Sequence, residues 1–182
     1  MKSTGDDPPP LAAIAIRPWL DTDSAAELTE LLHRAYARLA AMGLRFWATH
    51  QSAEVTEKRI ASGECFVAVA DGVICGTILF RGASLTNGSP WYDRSDVASF
   101  GQFAVEPGLQ SNGLGRRLIA HVEDRAAASG ARELALDTAE PAVHLVDWYT
   151  RLGYRFIERT QWQHTNYRSV VLSKTLVGRQ GD

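Results

Sequence analysis

The sequence predicts a single domain of mixed α/β fold, built around one sheet in the order β-α-α-β-β-β-α-β-α-β-β. The 182 residues include 45% hydrophobic and 22% charged side chains, as expected for one globular domain with its own core. Short β-branched runs alternate with longer segments whose apolar residues recur at helical spacing. An Asp-Gly pair between two β-rich runs indicates a hairpin.

The first elements are predicted from capping residues and periodicity. Ser24 followed by Glu27 indicates a capping box, and the leucines behind it recur at helical spacing as far as Ala41. Gly43 and Gly63 follow two such helical segments as C-terminal stops. The predicted elements are a strand over residues 13–17, helices over 24–41 and 53–62, and hairpin strands over 66–70 and 73–80.

The hairpin places the two cysteines of the chain. With residues 71–72 as a two-residue turn, Ala68 pairs with Cys75, and Cys65 lies near Ile78 on the opposite face. A disulfide between them is therefore not expected, and two cysteines are too few for a disulfide framework. We expect both to be reduced thiols in the core.

The second half of the chain alternates strands and helices. Leu114, Leu118 and Val122 recur at helical spacing. Pro141 stands at the first turn of a short helix, where its missing N–H costs little. The predicted elements are a strand over residues 96–105, a helix from 114 to about 130, a strand over 133–137, a helix over 141–151, and strands over 153–158 and 169–175.

The ends of the chain differ in composition from the rest. We expect residues 1–10, which are polar and proline-rich, to be a disordered lead, residues 11–177 to be the domain, and residues 178–182 to be a frayed tail. The start lacks the pattern of a signal peptide. The most apolar window, residues 66–80, is interrupted by Asp71, which favours strands over a membrane span. The sequence thus predicts a cytoplasmic protein that binds no membrane.

The charge balance excludes some partners. Nineteen Lys and Arg residues against twenty-one Asp and Glu residues give a net charge of -2. This balance argues against general binding of nucleic acids or anionic membranes. Neither the cysteines nor the histidines form a cluster with metal-ligand spacing, so no metal is expected.

One segment, residues 103–118, carries a chemical signal. A strand ends, a glycine-containing loop follows and a helix begins, so the first N–H groups of that helix lack internal partners and attract an anion. Gly113 and Gly115 would let a phosphate approach the backbone, and Arg116 and Arg117 add positive charge. The same glycines would also suit a tight turn from strand to helix, so both interpretations stay open.

Two familiar nucleotide-binding motifs are missing from this segment. A P-loop requires a lysine, which the loop lacks. The dinucleotide-binding pattern would require a glycine at Leu118. Neither a P-loop kinase nor a dinucleotide-dependent dehydrogenase is therefore predicted.

Two signatures resemble those of the GNAT superfamily of N-acetyltransferases. Residues 110–115, Gln-Ser-Asn-Gly-Leu-Gly, match its Q/R-x-x-G-x-G/A signature. Residues 148–154, Trp-Tyr-Thr-Arg-Leu-Gly-Tyr, look like its Y-x-x-x-G-F/Y element. The predicted element order is similar to the GNAT fold from Ala13 to Thr175. The resemblance covers nearly the whole domain and implies the GNAT acyl-CoA N-acyltransferase fold.

The resemblance implies acetyl-CoA as cosubstrate, lying between the strand that ends at Val105 and the strand over 133–137. The backbone around residues 103–105 would pair with the pantetheine arm. The backbone N–H groups from Gln110 to Arg116 would hold the pyrophosphate. A backbone N–H near Val105 would polarise the thioester carbonyl. The implied cofactor-binding residues are Phe103, Ala104, Val105, Gln110, Ser111, Asn112, Gly113, Leu114, Gly115 and Arg116.

Tyr149 is similar in position to the tyrosine that protonates the departing CoA thiolate in many members of the superfamily. Packing of this ring on the sheet is the alternative interpretation. Many members also carry an asparagine seven residues earlier, where this chain has Ala142, so that cofactor contact is missing here. With no Ser or Cys nucleophile beside a base in evidence, we expect direct transfer to the amine.

The acceptor site is less defined by the sequence. Aromatic residues occur where the superfamily forms its acceptor pocket, namely Tyr36, Phe46, Trp47, Trp91, Tyr92, Trp162 and Tyr167, although they could equally fill core or a dimer interface. Arg45 suggests an acceptor carboxylate, with ordinary surface exposure as the alternative. The general base stays open among Asp93, Asp96, Glu140 and His164.

The function predicted from the sequence is acetyl transfer from acetyl-CoA to the primary amine of a small molecule. Two alternatives stay open. One is a non-catalytic, regulatory module that binds acyl-CoA. The other is an acetyltransferase acting on a protein N-terminus or lysine. The resemblance also allows a homodimer.

Overall fold

The computed structural model describes residues 9–176. Its helices are α1 (Ala25–Ala41), α2 (Ala53–Ile60), α3 (Leu114–Ala128) and α4 (Val143–Arg151). Its strands are β1 (Ala15–Pro18), β2 (Glu64–Ala70), β3 (Val73–Arg81), β4 (Val97–Val105), β5 (Glu133–Ala139), β6 (Arg155–Thr160) and β7 (Ser169–Thr175). These strands form one sheet in the order β1-β2-β3-β4-β5-β7-β6, and every neighbouring pair except β4 and β5 is antiparallel.

The predicted fold class and element order are confirmed. Boundaries shift by a few residues: β5 continues to Ala139, and Pro141 lies two residues before α4. The shift follows from a turn in which the Ala142 N–H donates to the Ala139 carbonyl. The predicted lead is described only at residues 9 and 10, and the predicted tail over 178–182 lies outside the described residues.

The hairpin of β2 and β3 turns where it was predicted, with Asp71 and Gly72 both at positive φ (49° and 80°). The predicted pairing of Ala68 with Cys75 is wrong, because Ala68 pairs with Gly76 instead. A β-bulge puts one extra residue on β3 just after the turn, and that residue shifts the register of everything beyond it.

The same bulge corrects the position of Cys65, which pairs with Leu79 rather than lying near Ile78. The two cysteines still face opposite sides of the hairpin. Cys75 packs in the core cluster that contains Phe66, the neighbour of Cys65 on β2. Both thiols are free and buried, and burial raises the pKa of Cys65 to about 11, so this thiol stays protonated.

A wedge-shaped gap opens in the centre of the sheet, between β4 and β5. Their parallel pairing is confined to Val97–Ser99 against Glu133–Ala135. Next to this pairing, the register between β3 and β4 shifts, so that two residues of β4, Gln102 and Phe103, lie opposite one residue of β3. Gln102 takes a positive φ of 44° at this bulge. Beyond these three pairs β4 and β5 no longer pair, so their facing edges are left without a neighbouring strand.

Helices cover both faces of this sheet. On one face α3 packs its buried residues, such as Leu118 and Val122, into a core shared with Phe80 and Leu134. On the other face α1 packs Leu28 and its neighbours against residues of β2, β3 and β4. Within residues 9–176, none of the helices has the length and apolar character required to cross a bilayer.

Candidate active site

Two cavities flank the wedge and share part of their walls. The first, here called the groove, runs along the end of β4 and the start of α3, with α1 and α4 on its other side. The second, here called the aromatic cavity, has a volume of about 460 Å³ and lies between α2, β4, β5 and the loop before β7. Four residues line both: Tyr36, Phe103, Leu145 and Tyr149.

The structure brings the predicted cofactor-binding residues together around the groove. All of them line it except Asn112 and Leu114. The Asn112 side chain instead stabilises the turn into α3, accepting a hydrogen bond from the Leu114 N–H at 3.0 Å. The Leu114 side chain is fully buried in the core. These two residues shape the turn, and no side-chain contact with a ligand is available to Leu114.

The turn into α3 presents unpaired N–H groups. Those of Gly113, Gly115 and Arg116 donate to no atom within residues 9–176. Ser111 and Gly113 have positive φ values of 69° and 98°, which curl the chain around this point. A Cβ on Gly115, in the first turn of α3, would lie 3.3 Å from the Phe103 ring, so any larger side chain here would press on that ring. These N–H groups fit the pyrophosphate of CoA.

Charge in the groove is positive. Arg38 from α1 and Arg151 from α4 join Arg116 in lining it, and no Asp or Glu of the described chain does so. The sequence interpretation missed Arg38 and Arg151, because each lies on a helix that carries no nucleotide motif. Three guanidinium groups around a concave surface suit a cosubstrate with several phosphates.

Arg117 has a different role from the one predicted. Its guanidinium donates to the Leu11 carbonyl at 2.6 Å and to the Ile14 carbonyl at 3.0 Å. It therefore ties the segment before β1 to α3 instead of adding charge to the groove. Arg116, in contrast, lines the groove.

Tyr149 lies in the wall that separates the two cavities. Its ring packs against Phe100, Trp148 and Tyr154, and the residue is 6% exposed. The hydroxyl makes no hydrogen bond within residues 9–176 and so is available to a ligand. Burial, with further contributions from Tyr36 and Asp137, raises the pKa of Tyr149 well above its usual value. The group therefore carries its proton at neutral pH.

The predicted aromatic residues line the aromatic cavity with one exception. Trp91 lies outside it, with the Arg94 guanidinium 4.3 Å above its ring. Inside, Asp137 of β5 accepts hydrogen bonds from the Tyr92 hydroxyl at 3.3 Å and from Trp162 Nε1 at 2.9 Å. The sequence interpretation did not single out Asp137, although a carboxylate directly after the apolar run Leu134–Leu136 could have signalled it.

The structure distinguishes among the four candidates for the general base by their position relative to the cavity. Asp93 accepts a hydrogen bond from the Gly88 N–H, and Asp96 and Glu140 form ion pairs with nearby arginines. None of these three lines the cavity, whereas His164 does. The His164 ring stacks on Trp47, and partial burial lowers its pKa from the usual value of 6.5. This histidine is therefore mostly neutral at pH 7 and able to accept a proton.

The expected cation, Arg45, lies outside the aromatic cavity. Its backbone N–H donates to Asn166, and its guanidinium lies 3.5 Å from His50. The cavity is instead lined by Arg59 from α2 and Arg81 from the end of β3. Within residues 9–176, no group of three or more His, Cys, Asp or Glu side chains is arranged to hold a metal ion.

Comparison with known proteins assigns the class. Residues 25–154 match the acetyltransferase (GNAT) family. The chain is also 30% identical over 135 residues to an S-(2-succino)cysteine N-acetyltransferase of Bacillus subtilis (strain 168), a match that covers 71% of this chain and 78% of that relative. The chain therefore belongs to the GNAT family of acetyltransferases, and it is an acetyl-CoA-dependent N-acetyltransferase.

Solved structures show the same fold. A GNAT acetyltransferase from Elizabethkingia anophelis with acetyl-CoA bound superposes with a TM-score of 0.63 at 18% identity, covering 90% of this chain and 99% of that one. The ribosomal-protein-S18-alanine N-acetyltransferase from Escherichia coli superposes with a TM-score of 0.66 at 17% identity, covering 93% and 99%. At such identities the similarity shows a shared fold and does not identify the substrate.

Proposed function

We propose that the protein transfers the acetyl group of acetyl-CoA directly to the primary amine of a small molecule. One observation carries the proposal: the Tyr149 hydroxyl, protonated and without a partner within residues 9–176, lies where the groove and the aromatic cavity meet. An amine bound in the cavity and a thioester bound in the groove would approach each other at this point.

The cosubstrate is held mainly by backbone. In this proposal the N–H groups of the loop over residues 110–116 bind the pyrophosphate, and the exposed edge of β4 over 103–105 pairs with the pantetheine arm. A backbone N–H near Val105 donates to the thioester carbonyl oxygen, where negative charge develops during attack. Arg38 and Arg151 add positive charge beside the phosphates.

Transfer then requires two proton movements. The amine nitrogen attacks the thioester carbon, the C–S bond breaks, and the sulfur leaves as a thiolate that takes the Tyr149 proton. The proton lost by the amine passes to His164, directly or through water, because His164 is the one base candidate of the four that lines the cavity. Most of the rate would come from positioning and from the polarised carbonyl.

The dimensions of the aromatic cavity favour a small acceptor. A volume of about 460 Å³ is within the range of small-molecule sites. The Bacillus relative acts, by its name, on a modified amino acid, which favours a compact amine here as well. The Escherichia coli neighbour acts, by its name, on a ribosomal protein, so acetylation of a peptide is the alternative to be tested.

The test is a panel of small amines and N-terminal peptides incubated with acetyl-CoA while thiol release is followed. We expect at least one small amine to be acetylated and Tyr149→Phe to lower kcat by about 100-fold. Tyr154→Phe serves as the control, because the Tyr154 hydroxyl donates to Glu123 and lines neither cavity.

Calorimetry completes the test, since acetyl-CoA should bind wild type and Tyr149→Phe equally well. Binding without turnover on any amine would favour a regulatory module. Acetylation of peptides alone would favour the protein acceptor. Undiminished turnover by Tyr149→Phe would remove this tyrosine from the mechanism.

A further inference from the structure

Two guanidinium groups line the aromatic cavity without a carboxylate partner. Arg59 Nη1 donates to the neutral Gln51 Oε1 at 2.7 Å, and Arg81 Nη2 donates to the neutral Ser62 Oγ at 3.0 Å. Neither arginine forms an ion pair with any residue over 9–176. No carboxylate of the described chain is therefore in direct contact with either positive charge.

Burial and the proximity of the two arginines both disfavour their positive charges. Burial is the main cause that lowers the pKa of Arg59 to about 10, and the nearby charge of Arg81 lowers it further. Burial likewise lowers the pKa of Arg81. The carboxylate of Asp137 acts on both arginines through space and opposes these shifts, but it is engaged by Tyr92 and Trp162. An anion in the cavity would relieve this repulsion.

An unpartnered amide lies beside the two arginines. Gln102 is 3% exposed and lines the cavity, and its Nε2 donates to no atom of the described chain. Its Oε1 accepts a hydrogen bond from Gln51 Nε2 at 3.3 Å, and Gln51 is the residue that binds Arg59. Gln51 thus orients both groups, and it leaves the Gln102 N–H groups without an acceptor in the protein.

One of the two guanidinium groups, that of Arg81, reaches the bulge of β4. Arg81 Nη1 lies 3.7 Å from the position that a Cβ on Gly101 would occupy, directly beside Gln102. A guanidinium fork matches the planar pair of oxygens of a carboxylate. Lys58, Arg59 and Arg81 line the cavity together with the carboxylate of Asp137, and of these cations only Lys58 is paired, with Glu54 at 2.7 Å. The cavity therefore has a net positive charge, since His164 is mostly neutral at pH 7.

We propose that the acceptor is an amino acid or amino-acid derivative whose carboxylate is bound by Arg59, Arg81 and the Gln102 amide. This rests on the proposed function, because the amine is taken to react at Tyr149. Asp137, in the same cavity, faces the ammonium group before its deprotonation. An amine with two carboxylates complements the net charge of the cavity better than one with a single carboxylate, and an amine with none complements it least.

The experiment compares three matched amines: L-glutamate, L-2-aminobutyrate, which lacks the side-chain carboxylate, and propylamine, which lacks both. We expect wild-type kcat/KM to fall by about tenfold or more at each step. Arg59→Gln and Arg81→Gln should each lower kcat/KM for L-glutamate by about 100-fold, mainly through KM, and affect propylamine far less. Arg45→Gln, outside the cavity, should leave all three values unchanged. Equal losses on all three amines, or a preference for propylamine, would overturn the proposal.

A second measurement does not depend on turnover. Calorimetry with N-acetyl-L-glutamate, in the presence of CoA, should show binding to wild type that Arg59→Gln and Arg81→Gln weaken by at least tenfold. Both variants should fold, because each removes a charge that the other repels. Absence of binding by the wild type would refute the carboxylate site. If no amine reacts but N-acetyl-L-glutamate binds as described, the carboxylate site stands and acetyl transfer to amines fails.

Discussion

The groove and the aromatic cavity share the Tyr149 wall but are built in different ways. The backbone N–H donors of the groove come from one continuous segment, residues 103–116, while α1 and α4 form its other side and add Arg38 and Arg151. The cavity is formed by side chains that come from α1, α2, β3, β4, β5 and the loop before β7. A site made of N–H groups requires glycines and a turn, which leave a pattern in consecutive residues. A site made of distant side chains leaves no such pattern.

The largest effect is expected from a change of backbone shape in the groove. Gly115→Val would place new carbons against the Phe103 ring and Trp148, where a Cβ alone already lies 3.3 Å and 3.6 Å away. We expect acetyl-CoA affinity to fall by about 100-fold in calorimetry, because the loop N–H groups move from their positions. Gly82→Ala is the control, since a Cβ there meets nothing within 4 Å. Unchanged affinity in Gly115→Val would separate this loop from cosubstrate binding.

An intermediate effect is expected from the floor of the aromatic cavity. Asp137→Asn removes the carboxylate charge and leaves one of its two donors, Tyr92 or Trp162, poorly paired. We expect the acceptor KM to rise about tenfold while the dissociation constant of acetyl-CoA stays unchanged. Asp93→Asn, outside the cavity, should alter neither constant. Equal weakening of both ligands would mean that the two cavities are not independent.

The smallest effect is the pH dependence of the acceptor reaction. The pKa of His164 is lowered by partial burial and by the positive charge of Arg59, against the opposing effect of Asp137. As pH falls through that pKa the ring gains a proton and can no longer accept one. The ratio of kcat/KM between wild type and His164→Gln should therefore fall by at most about fourfold from pH 7.5 to pH 6. A ratio independent of pH over this range would argue against His164 as the base.

Much of the fold could be predicted from the sequence, because it depends on local signals. Ser24 accepts the predicted hydrogen bond from the Glu27 N–H at 3.2 Å, and Asp71 and Gly72 form the predicted turn. The bulge at Cys75 could not be predicted, since it depends on how β3 packs against its neighbours rather than on the turn. Gly63 illustrates the same limit: it was predicted as the stop of a helix, but a Cβ there would lie 2.3 Å from the Phe80 carbonyl oxygen, so glycine is required by close packing against β3.

The same contrast between local signals and long-range packing applies to the candidate site. Eight residues of the groove, together with Tyr149, were identified from two short segments, whereas Arg38 and Arg151 were missed. The roles of the identified residues as cosubstrate and acid groups stay predictions. Asp137, Arg59 and Gln102 were not identified, because nothing in the residues next to them indicates that they face one cavity. Their arrangement depends on the bulge of β4 and on the packing of α2 against α1.

The sequence by itself determined the order of the elements, the glycine turn that presents free N–H groups, and the tyrosine that stands before Gly153. Each depends on interactions between residues close together in the chain. Only the tertiary structure decided which charges share a cavity, since Arg59 and Arg81 lie on different elements and are brought beside Asp137 by long-range packing. Local backbone preferences act over a few consecutive residues. Burial and charge act between residues that are distant in the sequence and close together in the folded structure.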